Sequence, residues 1–265
     1  MFVPQKAKFI IDQTLKSLQP DHVYQKLIQF TDGGIKIRNQ FFEIKENIYI
    51  FAVGKAASYE ASALKSLFES NDLSVKQCFA YTKLNHTVNA PEIYQLEGDH
   101  PYLSQTNIDN SKIFLEHLQK VPKNSAVFFL LSGGASALLE LPIDKLSLEQ
   151  VQNTYKKLLE SGKSISEVNL YRKAMSKTKN GGVLAYIQAG TIIQFITCDI
   201  PNENLADVGS GPLIYQKIPS EIYKNLNIEP KNQSYNKPVK SFLTNSATLL
   251  LNQFKGSSDI VLGRI

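Results

Sequence analysis

The sequence predicts an α/β protein of Rossmann-like type, with a mostly parallel sheet and helices on both faces. Three observations predict it. Nearly continuous apolar runs of strand length, Ile48–Val53, Ser125–Leu131 and Thr191–Thr197, alternate with stretches of helical spacing. Two of the runs pass directly into small-residue turns, Gly54-Lys55-Ala56-Ala57 and Ser132-Gly133-Gly134-Ala135-Ser136, that open helices. The third ends in Cys198-Asp199-Ile200-Pro201, a polar break of the kind found at the carboxyl ends of strands in open α/β sheets.

Taken in order, Phe9, Ile10, Leu15, Leu18, Leu27 and Ile28 carry helical spacing over residues 5–30, interrupted near Pro20, with Asp21 expected to cap the second helix. The strand Ile48–Val53 leads through the Gly-Lys turn to a helix ending near Phe68. Lys76–Thr82 and the short Ile93–Leu96 follow as strands, then Gln105–Gln119 as a helix and Ser125–Leu131 as a strand, with Ala137-Leu138-Leu139 opening the next helix. Leu146–Leu159, Ser164–Ser176 and residues 182–188 read as helices, and Thr191–Thr197 as a β-branched strand. Residues 215–240 read as a surface loop with a short helix at Ser220–Leu226. A helix over Ser241–Phe254 and a strand over Asp259–Leu262 complete the expectation.

Composition narrows the class. The 265 residues are 43% hydrophobic and 20% charged, which is ordinary for a globular chain and excludes wholesale disorder. The net charge of +5 is distributed along the chain and not gathered in one patch, so nucleic acid is not an expected partner and small anions are. Cys78 and Cys198 form no CxxC pair, which excludes a zinc knuckle or disulfide framework and suits a reducing compartment. The start lacks a basic region followed by an apolar run, and the longest apolar stretch, Ala126–Leu131, is six residues. Neither a signal peptide nor a membrane span is expected, and the expected location is cytoplasmic.

The chemistry is expected at the strand ends. Lys55 sits where a helix already carries partial positive charge, a conflict that an anion would offset; a tight turn with a solvated lysine is the alternative. Ser132, Gly133, Gly134 and Ser136 expose backbone N–H groups and hydroxyls suited to phosphate oxygens, or else form a helix cap with glycine for close packing. Asp199 could orient a hydroxyl, help hold Mg²⁺ or cap a helix. Val208-Gly209-Ser210-Gly211-Pro212 is a second backbone-exposing loop. Arg172, Lys173, Lys177 and Lys179 crowd four cations into eight residues, able to clamp carboxylate and phosphate or to form a solvated basic face; Lys179 precedes Gly181-Gly182. His100, before Pro101, is a substrate contact or a turn histidine. The P-loop string, the Gly-X-Ser-X-Gly elbow and a strand-borne GxGxxG are all absent, which disfavours P-loop NTPases, serine hydrolases and nicotinamide-dependent oxidoreductases.

In this order the segments resemble the glycerate 2-kinase family, whose C-terminal domain is called MOFRL and whose N-terminal domain is of DUF4147 type. The matching residues are Gly54-Lys55-Ala56-Ala57; Asp99-His100-Pro101, with Asp99 at a usual glycine; and Ser132 to Ala137, with Ala135 for a third glycine. They continue with Asn169, Arg172, Lys173, Ser176 and Lys179, with Asn180 at a glycine position, and with Asp199, Pro201, Ser210, Gly211 and Pro212, where Cys198 replaces serine. The resemblance covers residues 5–215 and, loosely, 240–255. It implies ATP- and Mg²⁺-dependent phosphorylation of D-glycerate to 2-phosphoglycerate. Lys55 and Asp199 would be catalytic. Ser132, Gly133, Gly134, Ser136, Arg172, Lys173, Lys179, Ser210 and Gly211 would bind substrate and phosphate, with no cage built for metal alone. Glycerate and ATP are the implied partners, and assembly as a homodimer is left open. The implied organisation is a Rossmann-like domain over 1–215, with 216–265 leading toward a second domain whose glycine-arginine-asparagine block has no match here. A relative that binds anions without turning them over is the competing reading.

Overall fold

The structure is a computed structural model, and it describes residues 5–44, 47–200, 203–230, 237–252 and 255. Two helices, α1 (Gln5–Ser17) and α2 (Pro20–Leu27), precede an antiparallel meander of β1 (Ile28–Thr31), β2 (Gly34–Ile37) and β3 (Gln40–Glu43). The α/β body follows as β4 (Ile48–Val53), α3 (Ala57–Glu69), β5 (Val75–Lys83), β6 (Tyr94–Gly98), α4 (Gln105–Gln119), β7 (Ala126–Leu131) and α5 (Ala135–Leu138). It continues with α6 (Leu148–Glu160), α7 (Ile165–Met175), β8 (Thr191–Thr197), α8 (Ser220–Leu226) and β9 (Val239–Asn245), with short 3₁₀ turns at Gly182–Tyr186 and Val208–Ser210.

Six strands form one parallel sheet in the order β6-β5-β4-β7-β8-β9. Successive side chains of a strand point to opposite faces, so β4 divides its apolar residues between two cores. Ile50 and Ala52 pack with Phe128, Leu130 and Phe195 against Leu64 and Phe68 of α3. Phe51 and Val53 pack with Phe129 and Leu131 against Phe114 and Leu118 of α4. The continuous apolar runs are thus explained by burial on both faces.

Chain order reverses between β4 and β7: later strands run outward from β4 to β6 on one side and from β7 to β9 on the other. Ligands in such sheets bind outside the carboxyl ends of the strands at this switch.

Three expectations need correction. Asp21 does not cap α2; Gln19 is the N-cap, Pro20 opens the helix and Asp21 lies in its first turn. The helix expected over Ser241–Phe254 begins only at residue 247, because Val239–Asn245 pairs with β8 and turns Phe242 and Thr244 inward. Helical spacing was expected to reach residue 30, whereas the chain turns into β1 at Ile28. The expected strand Asp259–Leu262, and Pro201, lie outside the described residues.

Candidate active site

The switch between β4 and β7 is closed by hydrogen bonds that interlock the two glycine turns. The Ser132 N–H donates to the Val53 carbonyl (3.1 Å), the Lys55 N–H to the Gly133 carbonyl (2.8 Å), and the Ala56 N–H to Ser132 Oγ (3.1 Å). Ser132 is buried, so its oxygen serves the turn of β4. Gly54 has φ +131°, and a Cβ there would lie 2.3 Å from Ser132 Oγ. The close approach of the two loops therefore requires glycine at 54.

Gly133 has a different reason. A Cβ on it would lie 1.8 Å from Asp199 Oδ2 and 2.5 Å from its Cγ. The bare backbone is what lets the Asp199 carboxylate, arriving from the end of β8, sit against the end of β7. Lys55 reaches the same carboxylate, Nζ to Oδ2 at 3.5 Å, with both side chains nearly half exposed. The two residues expected to be catalytic therefore meet, although 144 positions separate them. Among the described residues the Gly133 and Gly134 N–H groups take no protein partner.

Asp199 of this pair, though not Lys55, lines a cleft of about 250 Å³. Of the expected residues it is lined by Gly133, Gly134, Ser136, Arg172, Asp199 and Ser210, together with His100, Tyr155, Asn169 and Asp207. Ser136 and Ser210 hydroxyls hydrogen-bond at 2.9 Å, joining the β7 loop to the Val208–Ser210 turn. Arg172 is delivered by α7, which opens with a reciprocal cap between Ser164 and Glu167. Burial of the His100 ring, then the cations Lys55 and Lys83, lower its pKa against the opposing pull of Asp199.

Two of the expected anion-binding cations have another placement. Lys173 is fully buried, its ammonium held by Asp207 Oδ1 and Gln216 Oε1, each at 2.8 Å. Lys179 is buried in an ion pair with Glu140. Their charge is already matched by a carboxylate, and the expectation that they present it directly to a ligand is corrected: an ammonium taken out of water needs a partner within the protein. Gly211 is not among the residues lining the cleft; its carbonyl accepts the Gly181 N–H at 2.7 Å. Asp207 and Tyr155 were not singled out from the sequence. Asp207 directly precedes the Val208-Gly209-Ser210-Gly211-Pro212 loop, a position that could have drawn notice; Tyr155 sits in an unremarkable amphipathic helix.

Mg²⁺ fits the donor chemistry in a limited way. Among the described residues no three His, Cys, Asp or Glu side chains gather. Asp207 is spent on Lys173, which leaves Asp199 as the cleft's open carboxylate oxygen donor. One carboxylate with waters and phosphate oxygens is a usual Mg²⁺ environment. No described helix is long and apolar enough to cross a membrane.

A family profile described as a domain of unknown function, DUF4147, matches residues 6–243. A glycerate 2-kinase of Pyrococcus horikoshii is 35% identical over 205 residues, covering 77% of this chain and 45% of that protein. A D-glycerate 2-kinase of Thermotoga maritima is 32% identical over 168 residues, covering 63% of this chain and 40% of that one. The crystal structure of a Pyrococcus horikoshii OT3 protein superposes with a TM-score of 0.82 at 27% identity, over 99% of this chain and 64% of that one. The glycerate kinase of Thermotoga maritima superposes with a TM-score of 0.78 at 25% identity, over 97% and 62%. The chain spans about half the length of the curated relatives it matches.

Proposed function

The chain belongs to the DUF4147 family, and from that premise we propose that it works as a glycerate 2-kinase, transferring the γ-phosphoryl group of ATP to the 2-hydroxyl of D-glycerate. The observation that carries the reading is the half-exposed Lys55–Asp199 pair, 3.5 Å apart at the sheet's switch point, with Asp199 lining the cleft. Glycerate kinases of Pyrococcus and Thermotoga among the relatives support the same reaction.

Phosphoryl transfer asks the protein mainly for positioning and charge neutralisation. Asp199 accepts the proton of the attacking hydroxyl and orients its oxygen, while the bond from the γ-phosphorus to the bridging oxygen breaks and ADP leaves. The Lys55 ammonium neutralises charge on the transferring group or on the glycerate carboxylate beside it. The Gly133 and Gly134 N–H groups, and whichever of the Ser136 and Ser210 hydroxyls does not donate to the other, serve as donors for phosphate oxygens. Arg172 lines the same cleft as a permanent cation. Mg²⁺, when bound with ATP, would be held by Asp199 together with phosphate oxygens and would supply charge neutralisation. Lys173 and Lys179 contribute through the carboxylates they hold.

The test is product identification. The 265-residue chain incubated with ATP, Mg²⁺ and D-glycerate is expected to yield 2-phosphoglycerate and ADP, read by ³¹P NMR. ATP left intact, with neither ATP nor glycerate bound in a titration, would contradict the proposal.

A further inference from the structure

The cleft's arginine is held in an unusual manner. Among the described residues Arg172 makes no ion pair. Its Cζ instead lies 5.1 Å from the centroid of the Tyr155 ring, and its Nε is buried with no hydrogen-bond partner. Both side chains line the cleft. The ring is itself fixed from behind: Tyr155 Oη donates to Glu140 Oε2 at 2.9 Å, and the same oxygen takes the buried Lys179 ammonium. Glu140 and Lys179 are each 1% exposed, so this anchor lies wholly inside the protein.

A guanidinium packed on an aromatic face keeps its N–H groups, whereas one paired with a carboxylate spends them. We propose that Tyr155 is a positioning residue which holds Arg172 against the cleft with its donors unspent for an anionic group of the substrates, a carboxylate or a phosphate, and that Lys179 and Glu140 serve the site by anchoring the Tyr155 hydroxyl. This rests on the reading of the cleft as a kinase site. It gives Lys179 a task that its burial otherwise denies it, and it assigns a role to a tyrosine of α6 far in sequence from every glycine motif.

The test compares Tyr155→Leu, Tyr155→Phe, Arg172→Lys and the Tyr155→Leu/Arg172→Lys double variant. Binding of ATP, D-glycerate and inorganic phosphate is titrated by calorimetry, alongside KM and kcat where turnover is seen. Removing the ring is expected to weaken at least one of these anions about tenfold, in line with a desolvated cation–π contact. Phenylalanine keeps the ring and loses only its anchor, so its loss is expected to be about threefold. Arg172→Lys is expected to add nothing in the Tyr155→Leu background, because the two residues act as one unit. A merely structural role for Tyr155 would lower the melting temperature and leave the affinity of the folded protein unchanged.

Tyr155→Leu binding all three anions like the wild type, or losses that add in the double variant, would overturn the proposal. If Tyr155→Leu does not fold, Tyr155→Phe takes its place: the ring stays and the anchor goes, so at least one anion is expected to bind about threefold more weakly, and affinities like the wild type for all three would overturn the proposal. A wild-type chain that binds none of the three anions also overturns it. A chain that binds phosphate through the coupled pair yet never phosphorylates glycerate would overturn the proposed reaction and uphold this one.

Discussion

Replacing Gly133 with alanine probes how tightly the two catalytic loops are joined. The added Cβ would stand 1.8 Å from Asp199 Oδ2, 2.5 Å from its Cγ and 2.9 Å from Oδ1. Restoring a contact of roughly 3.0 Å drives the carboxylate back by about 1.2 Å. Its side chain is 49% exposed, so it can swing into solvent. The backbone of Gly133 is outside the left-handed region, so alanine fits it without strain and the fold survives. The perturbation therefore falls on position and not on stability. A misplacement near 1 Å at a reacting group costs on the order of 100-fold in rate. Coupled ADP release with D-glycerate and Mg²⁺ is expected to fall about 100-fold in kcat for Gly133→Ala, with the melting temperature within a few degrees of wild type. A variant that turns over within threefold of wild type would refute the reasoning that Asp199 must lie against the Gly133 backbone.

Three other outcomes follow from buried and charged groups. Burial pushes the Glu60 carboxyl from its ordinary 4.5 up to about 7, opposed by the hydrogen bond it accepts from Thr197 Oγ1 at 2.5 Å. The raised folded value favours the native state fully below pH 4.5, and that contribution is lost as pH rises through 7; at 1.36 kcal/mol per pH unit the interval amounts to about 3 kcal/mol. Glu60→Gln is thus expected to resist urea better than wild type at pH 8.5 and to show no such advantage at pH 4.5. Lys173→Met leaves the Asp207 carboxylate, only 10% exposed, without its cation, and is expected to cost about 3–5 kcal/mol in urea unfolding. Lys55 is among the causes that depress the His100 pKa, after burial, so Lys55→Met is expected to raise the midpoint of the His100 ring signals in an NMR pH titration.

The sheet and its loaded strand ends were legible because a strand buried on both faces is largely apolar, as β4 and β7 are throughout and β8 is apart from Gln194 and its terminal threonines. The glycines marked the loops for a steric reason that the structure specifies: Gly54 clears Ser132, and Gly133 clears Asp199. The meander was not legible, since β1, β2 and β3 are four residues each and bury mainly Ile28, Ile35 and Ile37. The Asp32-Gly33 pair between β1 and β2 is the signal that marks it, a two-residue hairpin turn. Strand β9 was hidden for another reason: it buries only two alternating residues, Phe242 and Thr244, while its apolar Val239, Phe242 and Leu243 fall at i, i+3 and i+4, a helical spacing.

Within the basic block, sequence could not tell a cation that faces the cleft from one that props it. Arg172, Lys173 and Lys179 look alike in a string. Their partners, Tyr155, Asp207 and Glu140, come from 17, 34 and 39 positions away. Only tertiary structure separates the arginine on an aromatic face from the two lysines buried against carboxylates.

The central claim, that Asp199 receives the proton of the attacking hydroxyl, is tested most directly by the rate of ADP release with D-glycerate for Asp199→Asn beside the wild type. The amide keeps the size and removes the base. A fall of about 100- to 10,000-fold is predicted; an Asp199→Asn chain that phosphorylates glycerate at the wild-type rate would contradict it.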